Sequence, residues 1–130
     1  MSEKIYLDYT REELDAQYTN IANDHDAATQ QRLQAHAADV AERLAPARDL
    51  PYGDHPKDRF DLYRADGGPS PVIVFTHGGQ WQRGSTTSSS GWAEAALSHG
   101  ISLVAGTFPM IPEVRLSDMF EHTTALVRHI

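Results

Sequence analysis

A strand-like apolar run leads directly into a glycine-rich turn, and this turn is where the sequence could do chemistry. Residues 72–75 read Val-Ile-Val-Phe, and Thr76 is followed by His77-Gly78-Gly79-Gln80. Two adjacent glycines allow backbone N–H groups to point at a substrate oxygen on which negative charge develops. The turn therefore predicts an oxyanion-binding loop, which is one half of a hydrolase active site.

The other half of such a site is a nucleophile, and the sequence contains no motif that would present one. The Gly-x-Ser-x-Gly elbow is absent. The run Gly100-Ile101-Ser102 starts like an elbow but has Val104 where the second glycine is required. We interpret Ser102 as a hydroxyl within a strand or the core. The chain has no cysteine, which excludes a thiol nucleophile, disulfides and thiolate metal sites.

The elements around the loop predict an α/β fold. Residues 72–75 suit a central parallel strand that is covered on both faces. Residues 60–63 alternate like a half-exposed strand, and the turn at 66–69 suggests that these two strands are antiparallel neighbours. A helix ending at Gly100 and a second apolar strand at 101–105 complete a right-handed strand-helix-strand unit with a parallel sheet.

The first fifty residues are polar and helical. Thr10 and Glu13 have the spacing of a capping box, which predicts a helix over about residues 10–22. A second helix ends before Pro46, and its apolar residues recur at helical spacing: Leu33, Ala37, Val40 and Leu44. We therefore predict an N-terminal helical arm or cap at 1–50 and a core at 51–130.

The predicted sheet is incomplete. Two parallel strands and one antiparallel neighbour leave apolar edges uncovered. An amphipathic helix that opens at Ser117 runs to Ile130 without a C-cap. We expect the missing strands to lie in sequence beyond Ile130 rather than in another chain, so that residues 51–130 form the first half of a domain.

Composition narrows the classes of partner. The formal charge of -7 and the pI of about 5.3 disfavour nucleic acid and anionic membranes. The start of the chain lacks a signal-peptide profile and no run could span a membrane, so a cytoplasmic location is the default. Residues 23–26 and 54–56 place histidines beside carboxylates without any recognised ligand spacing, so no metal is predicted.

Several motifs together resemble a known family. They are Leu7-Asp8-Tyr9-Thr10, Glu13-Leu14, Gln17-Tyr18, Pro51-Tyr52-Gly53, Asp61-Leu62-Tyr63, Val74-Phe75-Thr76-His77-Gly78-Gly79-Gln80-Trp81 and Gly100 before a strand. With them the chain resembles the N-terminal half of an α/β-hydrolase. It is most similar to the metal-independent arylformamidases, or kynurenine formamidases, and the small carboxylesterases related to them. The resemblance covers nearly the whole chain.

This resemblance implies hydrolysis of an ester or aryl-formamide by a Ser-His-Asp triad, without a cofactor. The oxyanion donors would be the backbone N–H groups of Gly79 and Gln80, in the loop that His77 and Gly78 begin. All three triad positions would lie beyond Ile130, so the fold would be truncated before the nucleophile elbow. No catalytic residue is then assigned in this chain, and we expect it to be inactive alone.

The loop departs from the family pattern at one position and leaves two roles to decide. Gln80 stands where these formamidases often have tyrosine, which alters the pocket wall but not the backbone donors. We interpret His77 as a structural residue that orients backbone rather than as a base. Trp81 fits a substrate pocket and a packing anchor equally well.

A second function competes with hydrolysis. The chain could be a complete, non-catalytic binding or assembly module that uses the exposed sheet edge for a partner. Under the first hypothesis the partner is a small ester or formamide, and a homo-oligomer stays open under both.

Overall fold

The computed structural model describes residues 3–18 and 24–130. Contacts divide the chain into two compact units, Met1–Leu33 and Gln34–Ile130. No helix within the described ranges is both long enough and apolar enough to cross a membrane.

The first unit contains a small hairpin that the sequence did not predict. Strands β1 (Lys4–Tyr6) and β2 (Tyr9–Thr10) pair antiparallel, and helix α1 (Arg11–Tyr18) follows directly. The predicted capping box is confirmed, because the Thr10 N–H donates to Glu13 Oε2 at 2.8 Å and the Glu13 N–H donates to Thr10 Oγ1 at 3.3 Å. These bonds lower the pKa of Glu13. The last part of the predicted helix falls on residues 19–23, outside the described residues.

Helix α2 (Asp24–Leu44) ends two residues before Pro46, as the sequence predicts. Its C-terminal half carries the buried part of the predicted stripe, with Ala37, Val40 and the neighbouring Ala41 all buried. Leu33, the first residue of that stripe, is exposed.

The second unit is built on one mixed sheet of four strands. They are β3 (Ala47–Pro51), β4 (Arg59–Tyr63), β5 (Val72–Thr76) and β6 (Ser102–Gly106), in the order β3-β4-β6-β5. The β3–β4 and β4–β6 pairs are antiparallel, and β5 and β6 are parallel. Every residue of β6 is buried, so β6 is the centre of the sheet.

The predicted strand-helix-strand unit is confirmed. Between β5 and β6 lie α3 (Thr86–Ser89), a 3₁₀ turn (Ser90–Trp92) and α4 (Ala93–Ser98). Gly100 adopts a φ of +68° and its N–H donates to the Leu97 carbonyl at 2.9 Å, which is the predicted glycine C-cap. A final helix, α5 (Leu116–His129), starts one residue before Ser117.

One prediction about strand placement is wrong. Strands 60–63 and 72–75 are not neighbours, because β6 lies between them and pairs with both. The connection between them is a loop that is fastened to β6: Ser102 Oγ accepts from the Ala65 N–H at 3.0 Å and lies 2.6 Å from Ser70 Oγ. The interpretation of Ser102 as a strand hydroxyl is therefore confirmed.

Strand β5 forms an edge of this four-stranded sheet and has one neighbour among the described residues, β6. Val72 and Ile73 are 44% and 43% exposed. An apolar run indicates that a strand can be buried. It does not show how many neighbouring strands that strand pairs with.

Alternate side chains of β6 enter two different cores. Leu103 and Ala105 belong to a cluster with Val40 of α2 and Ala93 of α4, whereas Val104 packs with Leu126 of α5. Since successive strand residues point to opposite faces, the sheet has helices on both sides. The end of β5 takes part in both cores, because Phe75 packs against the first cluster and Val74 against the second.

Candidate active site

The loop after β5 has a backbone conformation that residues other than glycine rarely adopt. Gly79 has a φ of +131°, and the two residues after it, Gln80 and Trp81, have φ values of +55° and +60°. Positive φ at a residue other than glycine is uncommon and costs energy, so it persists where surrounding contacts enforce it. Such conformations cluster at functional sites.

The side chain of His77 makes the contacts that fix the backbone at the start of this loop. It is buried, and both of its ring nitrogens have partners: Nδ1 lies 3.0 Å from the Gly78 carbonyl oxygen and Nε2 lies 3.0 Å from Thr107 Oγ1. A carbonyl can only accept, so Nδ1 carries the proton. The ring also stacks on Phe108, with centroids 5.0 Å apart. This environment fits the structural role predicted for His77.

The bond from His77 also sets the direction of a predicted oxyanion donor. The Gly78 carbonyl and the Gly79 N–H belong to one planar trans peptide group and point in opposite directions. Because the His77 ring holds the carbonyl on one side, the Gly79 N–H is turned to the other side.

The second predicted donor is fixed in the same way. The Gly79 carbonyl accepts from the N–H groups of Gln82 at 3.1 Å and Arg83 at 3.2 Å. That carbonyl shares its peptide group with the Gln80 N–H, which is therefore turned away from the interior of the loop. Within residues 3–18 and 24–130, neither the Gly79 N–H nor the Gln80 N–H donates to another group. Both donors are oriented and unused.

Two of the three glycines of this region, Gly79 and Gly84, are required by the fold. A Cβ on Gly79 would collide with the Arg83 carbonyl, and a Cβ on Gly84 would collide with the His77 ring. Gly78 has neither a positive φ nor any neighbour within 4 Å of a would-be Cβ. The fold does not require glycine at 78, but the missing side chain leaves open space beside the loop.

That open space is part of a cavity of about 570 Å³, to which the predicted loop residues His77 to Trp81 all contribute. The rest of its wall is largely apolar. It includes two residues of the segment before α5, Phe108 and Met110, and three residues of α5: Leu116, Met119 and Phe120. A volume of this size is typical of small-molecule pockets.

Trp81 lies in the wall of this cavity and is 57% exposed. A side chain exposed to that extent does not anchor the packing of the described residues. Its backbone does hold the loop, because the Trp81 carbonyl accepts from the Ile111 N–H at 2.9 Å. A role for Trp81 in a substrate pocket stays a prediction.

Sequence reasoning missed what α5 contributes. Met119 and Phe120 line the cavity, and the only sequence signal was the amphipathic pattern of the helix.

A link between Asp58 and α5 was also missed. The buried carboxylate of Asp58 accepts from the His55 N–H at 3.1 Å and lies 2.7 Å from His122 Nδ1 of α5. No spacing could show it, since Asp58 and His122 are 64 positions apart.

The histidine and carboxylate motifs do not gather into a metal centre in the described part of the chain. No group of three potential ligands is found there. His55 contacts Glu113 and lies edge-on to His122, with ring centroids 5.7 Å apart. The hydrogen bond from Lys57 lowers the pKa of Glu113. The side chains of the 23–26 motif lie outside the described residues.

Comparison with known proteins connects this fold and loop to esterases. No protein-family model matches the chain. It is 30% identical over 80 residues to an Arabidopsis thaliana protein named "Probable isoprenylcysteine alpha-carbonyl methylesterase", a match that covers 60% of this chain and 17% of that protein.

Solved structures cover more of the chain. A candidate thioesterase from Silicibacter sp. matches with a TM-score of 0.77 and 34% identity over 89% of this chain and 45% of its own. Esterase B from Lactobacillus rhamnosis matches with a TM-score of 0.59 at 18% identity, over 82% of this chain and 40% of its own. The chain thus spans less than half the length of each of these three proteins.

These matches establish the fold class. The second unit has the mixed α/β architecture of the α/β-hydrolases. Its first strands pair antiparallel, and the parallel strand-helix-strand unit follows as the sequence predicts. Among the named relatives are esterases and a candidate thioesterase, so the chain is similar to hydrolases of that kind.

Proposed function

We propose that this chain is the oxyanion-binding portion of a serine hydrolase that cleaves an ester or aryl-formamide bond. The backbone N–H groups of Gly79 and Gln80 bind the oxyanion of the tetrahedral intermediate. A serine, an aspartate and a histidine encoded after Ile130 perform acyl transfer. Alone, the 130-residue chain is inactive, and the whole protein works in the cytoplasm on a small molecule.

One observation carries this proposal. Both predicted donors belong to peptide groups whose carbonyls are held from inside the loop, by His77 in one case and by Gln82 and Arg83 in the other. Their N–H groups are left without protein partners beside a cavity. Donors that are fixed before the substrate arrives need no reorganisation during the reaction, which is the physical basis of oxyanion stabilisation.

Two observations indicate the kind of bond that is cleaved. The named relatives include a methylesterase and a thioesterase, which favours an oxygen or sulfur ester. The aromatic residues Trp81 and Phe108 in the cavity wall suit an aryl group, which keeps an aryl-formamide as a substrate of the same site.

The competing function is a non-catalytic binding or assembly module, and the open edge of the sheet favours it. Val72 and Ile73 of β5 are nearly half exposed, and strand β5 has a neighbour on one side only among the described residues. Such an edge pairs with a strand of the same polypeptide or of a partner.

The deciding experiment starts from the reading frame that contains codon 130. We expect it to continue into a strand and a Gly-x-Ser-x-Gly motif within roughly thirty residues. The purified product of the complete frame should hydrolyse p-nitrophenyl esters or an aryl-formamide and react with a serine-directed phosphonate. The 130-residue chain, purified as the matched control, should do neither. A stop codon directly after Ile130, or turnover by the control, would overturn the proposal.

A further inference from the structure

We propose that Arg83 selects substrates that carry a carboxylate close to the bond that is cleaved. The inference rests on the proposed hydrolase site and adds a substrate class to it. Of the described residues that line the cavity, Arg83 is the one with a permanent positive charge. None of the other described residues that line the cavity carries a carboxylate or an ammonium group.

The backbone of Arg83 is fixed to the oxyanion-binding loop. Its N–H donates to the Gly79 carbonyl at 3.2 Å. Its Cγ lies 2.9 Å from the point where a Cβ on Gly79 would stand, so the side chain starts against Gly79 itself. The stem of the Arg83 side chain therefore starts beside the predicted oxyanion-binding loop.

The guanidinium is unused by the described part of the protein. Its one hydrogen bond there goes to Gln80 Oε1 at 3.5 Å, at the long limit for such a bond. Other basic side chains behave differently: Arg43 pairs with Glu94 at 2.8 Å, and Lys57 pairs with Glu113 at 2.5 Å. Within residues 3–18 and 24–130, no carboxylate lies within ion-pair distance of Arg83.

The apolar lining of the cavity and the positive charge of Arg83 together indicate the kind of ligand. An apolar, partly aromatic cavity takes a hydrocarbon or aryl group. A guanidinium at its margin binds a carboxylate through two parallel N–H donors, a geometry that lysine cannot provide. The fitting substrate is an ester whose acyl or alcohol part bears both an apolar group and a carboxylate, or an aryl-formamide whose arylamine part bears a carboxylate.

The kinetic test compares matched substrates on the product of the complete reading frame. One pair is mono-p-nitrophenyl glutarate and p-nitrophenyl valerate, which differ in a carboxylate on the acyl side. The other pair is 4-carboxyphenyl butyrate and 4-carbamoylphenyl butyrate, which differ on the alcohol side. We expect the anionic member of at least one pair to be preferred by about tenfold or more in kcat/KM, mainly through KM.

Substitution then assigns that preference to one side chain. Arg83→Gln should abolish the preference for the anionic ester and Arg83→Lys should restore only part of it. Arg64→Gln is the matched control, because Arg64 is an exposed arginine outside this cavity, and it should leave the preference intact. Equal use of both members of each pair, or a preference that survives in Arg83→Gln, would overturn the inference.

A binding measurement separates this inference from the proposed hydrolysis. The 15N–1H spectrum of the same protein is titrated with 4-phenylbutyrate and with 4-phenylbutyramide. We expect saturable shifts at Gly79, Gln80 and the Arg83 side-chain N–H with the acid, at least tenfold weaker binding of the amide, and loss of that difference in Arg83→Gln. If no ester is hydrolysed but this pattern is found, the hydrolase proposal fails and the carboxylate site stands. If acid and amide bind alike, or neither binds, Arg83 is not a carboxylate site.

Discussion

The imidazole of His77 donates from Nδ1 to the carbonyl of Gly78, 3.0 Å away, and thereby fixes the peptide group that carries the Gly79 N–H. The residue next in sequence to the glycines thus acts on them through its side chain. Its second nitrogen is tied to Thr107, in the segment that follows the central strand β6. The ring therefore links the position of the predicted oxyanion donor to the core of the sheet.

This link predicts a difference between two substitutions of one residue. In His77→Asn the amide nitrogen can take the place of Nδ1 and keep the bond to Gly78, whereas His77→Gln can keep only the bond to Thr107. We expect His77→Gln to lower kcat of the complete protein by about 10²-fold with little change in KM, because a misdirected donor weakens transition-state binding. His77→Asn should lose less. An equal loss of kcat in both variants would show that the Gly78 bond does not position the donor.

Two adjacent glycines should respond in opposite ways to alanine. Gly79→Ala forces a Cβ into the Arg83 carbonyl at a φ of +131°, so we expect the free energy of unfolding to fall by more than about 1 kcal/mol. Gly78→Ala meets no neighbour, and we expect its stability to be unchanged or slightly higher. Urea unfolding of both variants measures this difference.

The same pair separates folding from function. The methyl group of Gly78→Ala projects into the space beside the loop, so the variant should fold normally and still lose kcat/KM, most for the bulkiest esters. Full activity in Gly78→Ala on a bulky ester would mean that substrate does not approach the loop from this side.

Local signals were sufficient for much of the fold. The capping box of Thr10 and Glu13 and the C-cap at Gly100 each involve residues within a few positions of one another, and both are present as predicted. The parallel pairing of β5 and β6 follows from the order of strand, helix and strand, which a short stretch of sequence contains.

The pairing of strands and side chains that are far apart in the sequence was predicted wrongly or not at all. The strand order places β6 between β4 and β5, and nothing in the 60–63 or 72–75 patterns distinguishes that order from a hairpin. In the candidate site, too, the local features were predicted from the sequence and the long-range contacts were not. The loop was predicted from its glycines, but the bond from His77 to Thr107 spans 30 positions and the approach of Met119 to the cavity depends on how α5 packs.

Two neighbouring serines should have opposite effects on stability when each is changed to alanine. Ser89 Oγ is buried and has no hydrogen-bond partner among the described residues, whereas Ser90 Oγ bonds to the Tyr63 hydroxyl at 2.5 Å. Removing an unpaired buried hydroxyl relieves a desolvation cost, so Ser89→Ala should leave the free energy of unfolding unchanged or raise it. Ser90→Ala leaves the buried Tyr63 hydroxyl unpaired and should lower it by about 1–3 kcal/mol. If Ser89→Ala is the more damaging of the two, Ser89 has a partner such as a buried water.

The stability of the chain should fall at alkaline pH because of two buried tyrosines. Burial raises the pKa of Tyr52, with the nearby Asp58 carboxylate adding to the effect, and burial also raises the pKa of Tyr63. Below an unfolded-state pKa of about 10, both phenols are protonated in both states and their contribution is fully present. Above it the unfolded chain loses these protons first, so unfolding releases protons and the free energy of unfolding falls as pH rises.

Phenylalanine at either tyrosine should flatten that dependence. Tyr52→Phe also loses the bond from its hydroxyl to the Thr107 carbonyl, 2.7 Å long, so the variant starts from a lower stability at pH 8. The informative quantity is therefore the slope between pH 10 and 11, which one such group can change by up to about 1.4 kcal/mol per pH unit. Urea unfolding at pH 8, 10 and 11 gives that slope. Parallel curves for wild type, Tyr52→Phe and Tyr63→Phe would show that neither phenol is held in its neutral form by the folded chain.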